Sequence, residues 1–175
     1  MRPQVALIMG SYSDYPQLES AMNIFKEFGV AYEVRVMSAH RTPDVVADYA
    51  KAAADNGIKV ILAAAGGAAH LPGVIASFTV LPVIGIPIPL PGLGGLDSLL
   101  SISQMPAGIP VATMSSNSGG PDNGALMAIA ILAISDPTLS EMLKTYRRRM
   151  ADKIIERDST LQWKLRNKEQ EEYRA

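Results

Sequence analysis

Three features of this 175-residue chain predict a three-layer α/β/α sandwich built on a central parallel sheet. Short runs such as QVALIM (4–9) and IKVILAA (58–64) are almost wholly apolar rather than alternating, as strands covered on both faces are. Stretches with apolar residues at helical spacing separate these runs, giving the strand–helix alternation of an α/β fold. Glycine and other small residues follow the first and third runs, where a chain leaving a sheet edge has to turn.

Residues 4–9 read as the first buried strand, with 10–14 as its exit loop. Over 16–28, Leu18, Met22, Phe25 and Phe28 recur at helical spacing, and Gly29 supplies the stop. Residues 31–37 (AYEVRVM) form the second strand, and the helix over 44–56 puts Val45, Val46, Tyr49 and Ala53 on one stripe. The third strand is 58–64, followed by a short helix over 69–78. Weaker strands at 82–86 (PVIGI) and 110–113 (PVAT) flank a helix near 95–104. Helices over 122–134 and 137–150 follow, and the charged segment to 173 either extends the second or adds a third. No repeat and no linker separates two domains. Residues 1–150 are thus one doubly wound, flavodoxin- or Rossmann-like α/β domain, and 151–175 a charged helical extension packing on the same or a neighbouring subunit.

Composition narrows the chemistry. Cysteine is absent, which removes disulfides, iron–sulfur clusters, thiolate zinc sites and cysteine nucleophiles. Two histidines, His40 and His70, leave little material for a metal centre, and no metal is expected. A formal charge of −1 provides no global field for nucleic acid or an anionic membrane. Size scaling predicts a folded surface of roughly 8,000 Å².

The charges are unevenly placed. Between Lys59 and Asp136 only Asp97 and Asp122 are charged, whereas 141–175 holds ten of the sixteen basic and seven of the seventeen acidic residues. The apolar segment 74–95 is long enough to span a bilayer, but Pro82, Pro87, Pro89 and Pro91 would break such a helix repeatedly. The first residues, MRPQVALIMGS, contain only a short apolar run. A cytoplasmic protein is expected, its middle buried in core and in a homo-oligomer.

In open α/β sheets, ligands bind beyond the carboxyl ends of the strands. The first loop, Gly10-Ser11-Tyr12-Ser13-Asp14, offers hydroxyls, a close backbone approach and the free amides of the next helix, which suit an anion. Ser13 or Asp14 acting only as a helix cap is the plainer reading. The second loop, Ser38-Ala39-His40-Arg41-Thr42-Pro43, pairs a guanidinium able to clamp phosphate with an imidazole that titrates near neutrality. A surface His-Arg pair with Thr42 as cap is its alternative. The third loop, running from Ala65 to Gly73, brings bare glycine backbone and His70. That histidine is either a second acid/base or a group hydrogen-bonded to nearby backbone. No Walker loop, dinucleotide fingerprint or nucleophile elbow is present.

GSYSD, SAHRTP and AGGAAHLPG, in that order, resemble the class I 5-(carboxyamino)imidazole ribonucleotide mutases of purine biosynthesis, in the AIR carboxylase family. The resemblance continues through PVIGIP (82–87), GLDSLLSI (95–102) and QMPAGIPV (104–111), and covers about 1–135. It implies an isomerase needing no metal, ATP or biotin, which moves a carboxyl group from an exocyclic nitrogen to a ring carbon of an aminoimidazole ribonucleotide. It assigns the substrate phosphate to Ser11 and Arg41, with Ser13 beside them, and the ribose hydroxyls to Asp14; Ser38 is a further substrate-binding residue. His40 becomes the general acid/base, His70 a histidine near the carboxylate, and Gly66-Gly67-Ala68 the backbone against the imidazole. The same resemblance implies a homo-octamer. The related class II carboxylases carry Lys after the catalytic histidine and lack the AGGAAHLPG run, so Arg41 and His70 point to class I.

Two segments depart from the family pattern. Residues 88–91 (IPLP) replace a commonly more polar loop, and 114–121 (MSSNSGGP) replace a segment rich in alanine and glycine. Two other functions remain open at this stage: direct carboxylation of 5-aminoimidazole ribonucleotide with carbon dioxide, and a non-enzymatic nucleotide-binding module.

Overall fold

The computed structural model describes residues 2–172, with side chains through residue 168. Five parallel strands form one sheet in the order β2-β1-β3-β4-β5: β1 (Val5–Met9), β2 (Tyr32–Val36), β3 (Val60–Gly66), β4 (Val83–Ile88) and β5 (Ala112–Thr113). Connecting and following them are α1 (Tyr15–Glu27), α2 (Pro43–Ala52), α3 (Leu71–Phe78), α4 (Leu96–Ser103), α5 (Gly120–Ala133) and α6 (Pro137–Glu172). A short 3-10 turn, Tyr12–Asp14, precedes α1.

The alternating pleat explains why the strands read as continuous apolar runs. Val5, Leu7 and Met9 of β1 enter a core built with α1 and α5, while Ala6 and Ile8 enter a second core with α2 and α3. Both faces are dry, so neither parity of the strand can be polar. β2 differs because it is an edge strand: its residues are half-buried or exposed, which leaves room for Glu33 and Arg35. At Gly85 of β4 any Cβ would lie 2.3 Å from Ile102 Cγ2, so only glycine lets α4 dock there.

Two expectations are refined. The fifth strand shrinks from four residues to two, because Pro110 has no N–H to give the ladder. The charged tail adds no separate helix, since it continues α6 as a single 36-residue rod of roughly 54 Å. Near its start α6 is held by Leu139 in the core, by Tyr146, whose ring is tilted against Phe28 at 5.7 Å between centroids, and by an Arg149–Glu27 ion pair. Every residue from 147 to 166 is exposed, and the chain's total surface is 10442 Å², well above the size expectation.

Candidate functional site

The strand order reverses between β1 and β3, and a ligand crevice belongs at the carboxyl ends of the strands on either side. A cavity of about 350 Å³ opens there, lined by the exits of β1, β2, β3 and β4. That volume lies at the lower end of the range for small-molecule sites. Grooves of about 710 Å³ beside α1 and α6, and about 670 Å³ around the α3–β4 loop, are larger but hold no histidine. Chemistry, not size, therefore locates the site.

On the β1 side, Ser11 caps the 3-10 turn by accepting the Ser13 N–H at 3.3 Å, and the two hydroxyls lie 2.7 Å apart. The Ser13 hydroxyl in turn donates to Asp14 at 3.3 Å. Asp14 makes no side-chain cap on α1, so its carboxylate is kept for the cavity it lines. Only 8% of Asp14 is exposed, and that burial raises its carboxyl above the ordinary 3.8, with the Ser13 and Ser11 hydrogen bonds pulling the other way.

The β2 loop is wound around Ser38. Thr42 Oγ1 accepts the Ser38 N–H at 2.9 Å and donates to the Ser38 carbonyl at 3.1 Å. Ser38 Oγ accepts from the backbone N–H of His40 and of Arg41. Thr42 therefore shapes the loop instead of capping α2. Tight winding throws Arg41 back over β1, where one guanidinium nitrogen donates to the Gly10 carbonyl at 2.8 Å. Arg41 lines the cavity with further N–H donors to spare, and the lining contains no other arginine and no lysine.

His40 reaches across β1 to the β3 loop. Its Nε2 lies 2.6 Å from His70 Nδ1, with the rings at 87° and centroids 4.8 Å apart. One facing nitrogen must carry a hydrogen and the other a lone pair, so the two rings hold a proton between them. The turn that presents His70 has Gly67 at φ 64 and Ala69 at φ 46, a left-handed position that an alanine occupies only when its surroundings force it. His70 is exposed on the cavity rim, and its ring nitrogen faces His40.

The β3 and β4 side of the cavity is apolar. Ala65, Ala69, Leu71 and Leu90 line it beside the bare backbone of Gly66. Of the residues singled out in the sequence, Ser11, Ser13, Asp14, Ser38, His40, Arg41, Gly66 and His70 all line the cavity. Gly67 and Ala68 form the adjacent turn and stand outside the lining. Leu90, which the sequence marks only through the divergent segment 88–91, also lines the cavity. Among the described residues, no group of three or more histidines and carboxylates could hold a metal ion, and no helix is long and apolar enough to cross a membrane.

Comparison with known proteins identifies the family and the fold. The sequence model of the family described as AIR carboxylase matches residues 4–153. The N5-carboxyaminoimidazole ribonucleotide mutase of Pyrococcus horikoshii is 53% identical over 161 residues, spanning 92% of this chain and 90% of that protein. The protein of the same name from Mycobacterium tuberculosis is 52% identical over 161 residues, spanning 92% and 91%. The crystal structure of Treponema denticola PurE superposes with a TM-score of 0.83 at 34% identity, covering 91% of this chain and 99% of that one.

Proposed function

The chain belongs to the AIR carboxylase family, and on that premise we propose how it converts 5-(carboxyamino)imidazole ribonucleotide into 4-carboxy-5-aminoimidazole ribonucleotide. It is a mutase of purine biosynthesis, like its relatives. The observation that carries the mechanism is the direct His40–His70 contact on the rim of a cavity that also holds Arg41.

Arg41 and Ser11 take the phosphate, with Ser13 and Ser38 supporting them, because a guanidinium and clustered hydroxyls present several donors to one anion. Asp14 accepts from the ribose hydroxyls, and the Gly66-Gly67-Ala68 backbone lies against the imidazole. The carbamate C–N bond then breaks, and its electron pair stays on nitrogen, which takes a proton from the histidine pair. The ring carbon attacks the released carbon dioxide, and the proton displaced from that carbon returns to the pair. The proton count closes, so one histidine pair serves both half-reactions and no cofactor is required.

The test supplies the carboxyamino substrate to the full chain without ATP, metal or added bicarbonate. Wild-type turnover is expected, with His40→Asn slower by about 10²–10⁴-fold. Turnover only from the uncarboxylated ribonucleotide plus bicarbonate would move the assignment to direct carboxylation. Binding without turnover would leave a nucleotide-binding module.

The same reading extends to a cytoplasmic homo-octamer. Ile154, Ile155, Leu161 and Trp163 on the projecting half of α6 are each more than half exposed, and Met114, Leu126, Leu143 and Met150 line an apolar groove of about 530 Å³. Asp97 and Asp122 each bury a carboxylate oxygen with no hydrogen-bond partner in the protomer. Neighbouring copies would cover all three features. Light scattering on the full chain and on a chain ending at Met150 is expected to give an octamer and a smaller species, respectively. A full-length monomer would refute the assembly.

A further inference from the structure

Leu90 sits on an excursion between β4 and α4, residues 89–94, that is fixed at both stems. The Ser98 hydroxyl is fully buried and lies 3.1 Å from the Ile88 carbonyl and 3.0 Å from the Gly95 carbonyl, joining the strand end to the helix start. Pro89 and Pro91 flank Leu90. The second ring keeps Leu90 out of the helical region, and the first has its own φ locked. Gly92 at φ 109 and Gly94 at φ 59 let the chain double back.

This scaffold presses the leucine onto the β3 loop. A Cβ placed on Gly66 would lie 3.0 Å from Leu90 Cγ and 3.1 Å from Cδ1, and one on Gly67 would lie 3.7 Å from Cδ1. The side chain therefore rests on bare backbone, lines the cavity and is 42% exposed. One side of it thus forms part of the apolar end of the cavity while the rest meets solvent.

We propose that Leu90 is the cover that retains carbon dioxide between the two half-reactions. The inference rests on the mutase reading. Once the C–N bond has broken, the carboxyl carbon is a neutral, apolar molecule with no charge by which the protein can hold it. Only enclosure keeps it beside the ring carbon, and any path for water lets it escape and hydrate to bicarbonate and a proton. Phosphate clamped at the β1 and β2 exits directs the imidazole toward the β3 and β4 exits, where the walls are Ala65, Ala69 and Leu90. A polar side chain at position 90 would wet that end.

The test follows the partition of the intermediate. Wild type, Leu90→Ser and Leu90→Met are given the carboxyamino ribonucleotide in ¹³C-bicarbonate, with loss in enzyme-free buffer subtracted. Decarboxylated ribonucleotide, carboxylated product and its ¹³C content are measured together with KM and Tm. Leu90→Ser is expected to raise the ratio of leaked to carboxylated product about tenfold, about 1.4 kcal/mol between competing barriers. It should also carry ¹³C into the product while KM stays within about twofold. Leu90→Met, similar in volume and apolar, should partition as wild type does. An unchanged ratio in Leu90→Ser, or a fall in kcat with the ratio constant, would overturn the role of Leu90 and leave the mutase standing. Absence of wild-type turnover would overturn the mutase reading and this inference with it.

Discussion

The two halves of the cavity rim are built by different means. On the β1 and β2 side the working groups are polar, and most are fixed by contacts inside their own loop: Ser11 with Ser13, Ser13 with Asp14, Ser38 with Thr42. On the β3 and β4 side the walls are aliphatic or bare backbone, and contacts between separate elements hold them. Leu90 lies on Gly66, Ser98 ties Ile88 to Gly95, and His70 meets His40. A charged ligand end can be recognised by one short loop, because each hydrogen bond is a local event. A dry compartment has to be enclosed from several directions at once.

Substitutions in the two halves should therefore fail differently. The largest effect is expected from Arg41→Ala, which removes the one guanidinium of the lining. Two lost charge-assisted bonds of about 1.5–3 kcal/mol each would raise KM by roughly 100-fold or more, with little change in the leak of decarboxylated product. Steady-state kinetics with product partition would check this. A large leak at unchanged KM would erase the division between the halves.

Ser98→Ala probes the other side without touching the cavity lining. Loss of a buried hydroxyl shared by two carbonyls is expected to cost about 1–2 kcal/mol, or a few degrees in Tm. Looser stems should also let Leu90 lift, giving a leak smaller than that of Leu90→Ser. Thermal melting beside the ¹³C assay reads both effects, and a normal partition in a destabilised variant would show that the prolines alone hold the loop.

The smallest effect on stability concerns Asp14, the one ionisable group of the polar half that is buried. Burial raises its carboxyl, so folding favours the protonated form. Such a group contributes its full stability below the unfolded value of 3.8 and withdraws it as pH rises through the folded value. Asp14→Asn should therefore melt slightly higher than the parent at neutral pH, with the gap closing as pH falls toward 3.8, while its ribonucleotide affinity drops about tenfold or more. Melting curves from pH 3 to 8 test this, and a gap that widened toward low pH would reverse the assignment.

Much of this was legible in the chain. β1 and β3 announce themselves because burial on both faces forces an uninterrupted apolar run, and the hydroxyl, guanidinium and imidazole groups stand in the very loops that leave the strands. β5 is shorter than its residue types suggest, because Val111 suits a strand while the ladder responds to the missing N–H of Pro110. The part played by Thr42 is not legible in the sequence for a related reason. A hydroxyl before a helix can cap it or close a loop, and the choice depends on the path of the backbone at Ser38.

By itself the sequence determined the layers of the fold and the inventory of reactive groups, since burial and turn chemistry are properties of short windows. Which groups meet was decided only by the tertiary structure. His40 and His70 stand 30 positions apart and Leu90 stands 24 beyond Gly66, so no window contains either pair. The order β2-β1-β3-β4-β5 folds the loops of four strands onto one edge of the sheet, and there a proton can pass between two rings and a leucine can close over two glycines.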